Sequence, residues 1–261
     1  MKITSNANPR VKDVVGLRRS RERRSSGRFV VEGAREVGRA LAAGINTEVV
    51  YVCPELGGAV SVPGEVERVE VSRNVFERMS HREGPDGVLA VASGFQTDLT
   101  ALVLPQDTLV LVVAGIEKPG NLGTMIRSAA AAGADAVIVA SPVVDIVNPN
   151  VIRASQGAVF SMPIAVDEDE AAIGFLAASG IQVFAADPAA PLPYWEAPLE
   201  EASAIVIGAE HDGVPTRWRE AARPLGIPMS GRRGVDSLNA SAAAAVLLFD
   251  AARRRSQHMR R

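Results

Sequence analysis

From residue 108 onward the chain alternates short β-branched runs with alanine-rich segments, and this alternation limits the fold more than any other feature. "TLVLVVA" (108–114) precedes a helical pattern near 121–132, and "AVIVA" (136–140) precedes another near 148–157. A short strand at 162–166, a helix at 169–179 and strands at 181–186 and 203–208 come next. A helix at 214–223, a strand at 225–228 and a long helix from about 238 to 255 complete the pattern. Strand runs apolar at nearly every position require burial on both faces, as in a parallel sheet flanked by helices. Ligands in such sheets bind beyond the carboxyl ends of the strands. The turns "GIEKPGNLG" (115–123), "GAEHDG" (208–213) and "SGRRG" (230–234) fall at those ends.

Residues 1–96 read as a separate, smaller α/β domain. Val11, Val14, Val15 and Leu17 are near helical spacing, and the charged stretch after them stops at Gly27. A strand (28–33), a helix closed by Gly44 (34–44) and a strand stopped by Pro54 (47–53) follow. Further elements are a strand at 66–72, a helix at 73–80 and a strand at 87–93. The polar, proline-bearing stretch 97–107 is the linker, and 108–261 is the second domain.

Composition removes several classes of function. Hydrophobic residues make up 47% of the chain, enough for a large core, yet no apolar run is long enough to span a bilayer. "MKITSNANPR" has no apolar signal region, so the expectation is a cytoplasmic protein. Cys53 stands alone in an apolar run and reads as core packing. With only His81, His211 and His258 besides, no metal site is expected. The net charge of −2 conceals an asymmetry: residues 1–40 hold eleven Lys or Arg against four Asp or Glu. Arg10, Lys12, Arg18, Arg19, Arg21, Arg23, Arg24 and Arg28 are the candidate cations for nucleic acid phosphates, set against the plainer reading of a solvated helix face.

Three segments can carry chemistry. In "EKPGNLGTMIR" the glycines Gly120 and Gly123 make neither a dinucleotide fingerprint nor a triphosphate loop. Arg127 lies about 1.7 turns from a helix start near Asn121 and among apolar neighbours. It reads as a fork for phosphate or carboxylate, or as a structural ion pair. In "AIVIGAEHDGVP" the glycines allow close backbone approach to a ligand, and Glu210 is either a functional acid or a solvated loop residue. In "IPMSGRRGVDSLNASAAAAVLLFD", Ser237, Asn239 and Ser241 open an apolar helix, where such residues cap and free N–H groups bind anions. The run Ala242–Phe249 is apolar all round, so it belongs in a core or a subunit interface, with Leu247, Leu248 and Phe249 as packing.

In this order, "PGNLGTMIRSA", "IGAEHDGV" and "IPMSGRRGVDSLNASAAAA" resemble the three signature motifs of the SpoU (TrmH) family of RNA 2′-O-ribose methyltransferases, of the SPOUT superfamily. "RASQGAVFSMPI" resembles that family's intermediate segment, and "ITSNANPRVK", "GRFVVEGAREV" and "GPDGVLAVA" resemble its substrate-binding domain, a ribosomal-protein-like α/β fold. The resemblance implies an α/β SPOUT domain with a parallel sheet and a deep trefoil knot, S-adenosylmethionine as cofactor, RNA as substrate and a homodimer. It places cofactor contacts at Gly208, Ile227 and Leu238, with Ala209, Met229 and Asn239 nearby. It places catalytic or structuring roles on Asn121, Arg127, Glu210, Ser237 and Asn239, with Arg127 serving a cofactor held by the other subunit. The family's Arg is commonly given as general base. A guanidinium stays charged, so the reading here is that Arg127 grips a phosphate and stabilises the developing alkoxide. Ribosomal RNA is favoured as substrate. The alternatives are a tRNA 2′-O-methyltransferase and a non-catalytic RNA-binding protein of the same fold. Arg232 and Arg233 add charge to the cofactor-side loop.

Overall fold

The computed structural model describes residues 2–231, 234 and 236–258. Arg232 and Arg233 lie outside the described residues. The chain forms two compact units: Met1–Phe95 with Asp145–Ser161, and Gln96–Val144 with Met162 onward.

In the first unit, strands β1 (Lys2–Ile3), β2 (Arg28–Glu32), β3 (Asn46–Val52), β4 (Glu67–Val71) and β5 (Val88–Ser93) form a sheet of order β1-β4-β3-β5-β2. Strands β1, β4 and β3 run parallel, and β5 runs antiparallel to both β3 and β2. Helices α1 (Pro9–Gly16), α2 (Ser20–Ser26), α3 (Ala34–Ala42) and α4 (Arg73–Met79) accompany it. Asn8 caps α1 by accepting a 2.9 Å bond from the Arg10 N–H, and Pro9 needs no such partner. Val11, Val14 and Leu17 share a buried cluster with Val75, Phe76 and Met79, and the free thiol of Cys53 is buried in it.

The helical spacing of Val11–Leu17 and the charged stretch after it form two helices: α1 ends at Gly16, and α2 starts at Ser20 and ends on Gly27 at φ 66°. The break turns Arg23 inward. Its guanidinium donates to the carbonyls of Leu17 and Arg18 (2.9 Å each) and pairs with Asp145 at 2.7 Å, leaving the residue 3% exposed.

Residues 145–161 fold into this first unit, although sequence continuity puts them in the second. Their helix α6 (Pro149–Ala154), capped by Asn148, packs on β2. Phe160 stacks on Phe29 with centroids 6.3 Å apart, Phe95 meets both rings edge-on, and Arg39 donates to the Gln156 carbonyl at 2.7 Å.

The second unit holds six strands, β6 (Leu109–Ala114), β7 (Ala136–Ala140), β8 (Ile164–Asp167), β9 (Gln182–Ala186), β10 (Ser203–Ile207) and β11 (Arg223–Leu225). Their order is β11-β9-β10-β6-β7-β8, and every pairing is parallel, as the alternation demands. Val112 sits at the centre, in register with Val206 and Ile138, all three fully buried. The last strand ends at Leu225, earlier than its sequence range. Gly226 turns to bond the Leu192 carbonyl, and a side chain there would meet the Ala190 carbonyl at 2.9 Å.

Helices α5 (Pro119–Ala132), α7 (Asp169–Ala178), α8 (Thr216–Ala221) and α9 (Ala240–His258) cover the sheet, and α9 packs on α5 and β10. Leu247 and Leu248 are fully buried, as expected for packing. Phe249 is not: with Val246 it faces outward, 51% exposed, because an α-helix turns about 100° per residue and carries it off the buried stripe. Among the described residues no helix is long and apolar enough to cross a membrane.

Candidate active site

The carboxyl ends of β9, β10 and β11 open into a cleft of about 210 Å³. Ile207, Leu225, Ile227, Met229 and Leu238 supply its apolar wall, and Asp187, Glu210, His211 and Ser237 supply polar groups. Gly208 and Ala209 also line it, so five of the six residues expected at the cofactor or beside it (all but Asn239) meet in one cavity. A second cavity of about 300 Å³ adjoins it, sharing Asp187, Pro188, His211 and Gly213.

Gly208 has no room for a side chain. An added Cβ would lie 2.1 Å from the Gly213 carbonyl oxygen and 2.3 Å from the Val214 nitrogen. The sequence assigns that space to a ligand; the fold assigns it to the loop's own backbone. Gly213, at φ 68°, closes the loop with a 2.9 Å bond from its N–H to the Ala209 carbonyl. Glu210 is thereby presented at the rim of the cleft.

The three motifs converge there. Asn121, in the first turn of α5, donates its amide N–H to Glu210 Oε1. Asn239, just ahead of α9, donates to Asn121 Oδ1 at 3.5 Å, and its own Oδ1 accepts from the Ser241 N–H (2.9 Å) and hydroxyl (2.6 Å). Asn239 thus acts as the cap of α9, and Ser241 supplies the N–H that is capped. Lys118 Nζ lies 3.7 Å from Glu210 Oε1. A side-chain amide has donor and acceptor ends; engaging both fixes which way Asn121 points. Ser237 lines the cleft and bonds Asp236 at 3.3 Å, outside this network.

Arg127 lies apart from the network. It sits six residues beyond Asn121 on α5, exposed, and among the described residues no carboxylate pairs with it. Its neighbours Met125 and Ile126 are fully buried, so their apolar character says nothing of the face Arg127 occupies. The structural ion pair considered for it is therefore absent among the described residues.

The basic run of the first unit divides. Arg23 is corrected from an RNA-contacting cation to a buried structural one, its charge spent on Asp145. Arg10 pairs with Glu67 at 2.8 Å, and Arg28 with Asp13 and Glu48 at 2.9 Å each. Hydrogen bonds donated to Asp13 and to Glu67 hold the Arg28 and Arg10 guanidiniums, respectively, above their ordinary range. Arg18 bonds backbone carbonyls. Lys12, Arg19, Arg21 and Arg24 stay exposed with no carboxylate partner among the described residues.

Sequence reasoning missed Lys118, Asp187 and His211. Asp187 had a usable signal, since it directly follows β9 at the carboxyl edge. No group of three or more His, Cys, Asp or Glu among the described residues could hold a metal ion.

These features define a class: an α/β unit with a ligand cleft at the carboxyl edge of a parallel sheet, joined in one chain to a mixed-sheet unit. Residues 108–249 match the SpoU rRNA Methylase family, and residues 8–90 match the MRM3-like substrate binding domain. The chain is 30% identical to a 23S rRNA guanosine 2′-O-methyltransferase, RlmP of Bacillus subtilis, over 95% of this chain and 97% of that one. A solved RNA 2′-O ribose methyltransferase shares 41% identity at a TM-score of 0.84, covering 98% of this chain and 100% of that one. An AdoMet-bound rRNA methyltransferase from Sinorhizobium meliloti superposes at 0.88 with 29% identity, covering 97% and 98%. The chain belongs to the SpoU rRNA methylase family, and its second unit has the SPOUT fold.

Proposed function

We propose that this protein transfers the methyl group of S-adenosylmethionine to a ribose 2′-OH of ribosomal RNA. One observation carries the reading: Asn121, Glu210 and Asn239, distant in sequence, form one hydrogen-bonded network at the rim of an apolar cleft. Relatives named as 23S rRNA 2′-O-methyltransferases support ribosomal RNA over tRNA.

The cleft fits the cofactor chemically. Its apolar wall suits a purine, and its rim offers carboxylates to a sulfonium. Among the described residues no backbone hydrogen bond engages the N–H of Ile227, Met229 or Leu238. When bound, S-adenosylmethionine supplies a methyl group activated by its positively charged sulfur. Gly208, Ala209, Ile227, Met229 and Leu238 hold it. Asn121, fixed by Glu210 and Asn239, orients the ribose, and Ser237 closes the cofactor side. Such positioning can remove roughly 7–11 kcal/mol of barrier. Arg127 holds the neighbouring phosphate and stabilises negative charge as the 2′-oxygen takes the methyl group and gives its proton to the phosphate, to water or to Glu210.

The reading extends to a deep trefoil knot in the second unit, a cytoplasmic site of action and a homodimer. Family resemblance supports all three. The outward faces of Val246 and Phe249 on α9, and of Gly120, Thr124 and Arg127 on α5, support the dimer, in which Arg127 serves the partner's cleft.

The test is transfer of labelled methyl from S-adenosylmethionine to unmodified large-subunit rRNA and, separately, to unmodified tRNA. Label in rRNA that is lost in Arg127→Ala is expected. Label in tRNA alone, or in neither RNA, overturns the reading.

A further inference from the structure

The first unit carries a polar cluster built around His81. Arg18, in the turn after α1, reaches across to the carbonyls of Arg78, at 2.8 Å, and Ser80. Arg153, on α6, lines a small cavity of about 10 Å³ with Glu32, His81, Arg82 and Asn150. Three polypeptide segments far apart in sequence thus bring guanidiniums and an imidazole to one place.

The charges there do not cancel. Glu32, the cluster's buried carboxylate, is held by the Ser80 hydroxyl at 2.5 Å and the His81 N–H at 2.8 Å, with Arg82 at 3.8 Å. Arg82 itself pairs with Asp86 at 3.2 Å, and Arg23 with Asp145 at 2.7 Å. That leaves Arg18 and Arg153 without a carboxylate among the described residues. Arg153 donates to the neutral amide of Asn150 at 3.0 Å, and the Nε of Arg18 is buried with no acceptor. Burial, then the nearby Arg18, holds the His81 imidazole below its ordinary range. Arg153 and Arg23 push the same way, and Glu32 alone opposes. A multi-oxygen anion on the solvent side of this cluster would accept from the exposed Arg153 and His81, with the charge of Arg18 alongside, and would favour a protonated His81.

We propose that Arg18, His81 and Arg153 form a phosphodiester-binding subsite for the RNA substrate. This rests on the rRNA reading above. It gives residues 145–161 a purpose: Arg153 comes from the stretch that matches the methylase family, yet it folds into the unit that matches the substrate-binding domain.

Arg153→Gln and His81→Gln are the variants, since both residues are exposed and neither holds an ion pair among the described residues; Arg68→Gln on β4 is the control. Binding of unmodified large-subunit rRNA is measured across a salt series. Arg153→Gln is expected to weaken binding roughly tenfold at low salt and to lower the slope of log K against log salt by about 0.7–0.9. KM for RNA rises while kcat at saturating RNA holds, and Arg68→Gln behaves as wild type. By NMR, inorganic phosphate and rRNA each raise the His81 pKa in wild type, and Arg153→Gln blunts the rise. Wild-type affinity and slope in both variants overturn the subsite, even where inorganic phosphate alone moves His81. Failure of the wild-type protein to bind rRNA at all overturns the rRNA reading and the subsite together.

Discussion

Gly208→Ala perturbs the site at a single atom whose surroundings are fixed. The added methyl carbon would stand 2.1 Å from the Gly213 oxygen, 2.2 Å from the Gly213 carbon and 2.3 Å from the Val214 nitrogen, all backbone. Ordinary contact begins near 3.4 Å, so the 208–214 loop must open by roughly 1.3 Å. No side-chain rotation relieves this. Overpacking of that kind costs about 2 kcal/mol, which lowers Tm by about 4–8 °C for a chain of this size. The loop also carries Glu210, and an ångström of misplacement at a catalytic rim costs roughly a hundredfold in kcat. Differential scanning calorimetry and single-turnover methyl transfer read the two effects. Gly174→Ala is the companion control, because nothing lies within 4 Å of a Cβ there and α7 gains a better helix former. It is expected to stabilise by about 0.5–1 kcal/mol. A Gly208→Ala protein with wild-type Tm and wild-type kcat would refute the claim that the loop backbone occupies that space.

Three further outcomes are expected. Arg23→Ala leaves Asp145 and two carbonyls without their donor, and loss of one partner of a buried pair costs about 3–5 kcal/mol, whereas exposed Arg24→Ala stays within about 0.5 kcal/mol; urea unfolding of both measures this. Asn121→Asp sets a carboxylate against Glu210, so kcat falls about a hundredfold or more while S-adenosylmethionine affinity by calorimetry stays within a few-fold. Mixing Arg127→Ala chains with Asn121→Asp chains restores activity if Arg127 serves the partner's cleft, because one site per mixed dimer is then complete. No recovery in mixed dimers confirmed by mass would place Arg127 in its own chain's site.

The parts of this architecture written in local pattern were legible. A run such as "TLVLVVA" is apolar at alternate and intervening positions alike, so it states burial on both faces, and β6 is buried throughout. The site was legible because three motifs sit where strands end. What failed to show depended on partners distant in the chain. Nothing in "RRSRERRSSG" distinguishes Arg23 from Arg24; Asp145, 122 positions on, decides it. The fold of 145–161 into the first unit rests on Phe29, Phe95 and Phe160 meeting, which no periodicity encodes. Arg127 was judged by its sequence neighbours, but a helix separates adjacent residues by about 100°, so buried Met125 and Ile126 do not bury it. Gly208 reads in the sequence as a close approach to a ligand, whereas in the fold the backbone of Gly213 and Val214 fills the space a side chain would take.

Transfer of the methyl group to a ribose oxygen of ribosomal RNA leaves a mark that can be read directly. Unmodified large-subunit rRNA labelled by this protein can be hydrolysed completely in alkali, a cleavage that requires a free 2′-OH. The label is expected to survive in an alkali-resistant dinucleotide, because a 2′-O-methyl blocks attack on the adjoining phosphate. Label recovered in mononucleotides would put the methyl on a base and contradict ribose transfer.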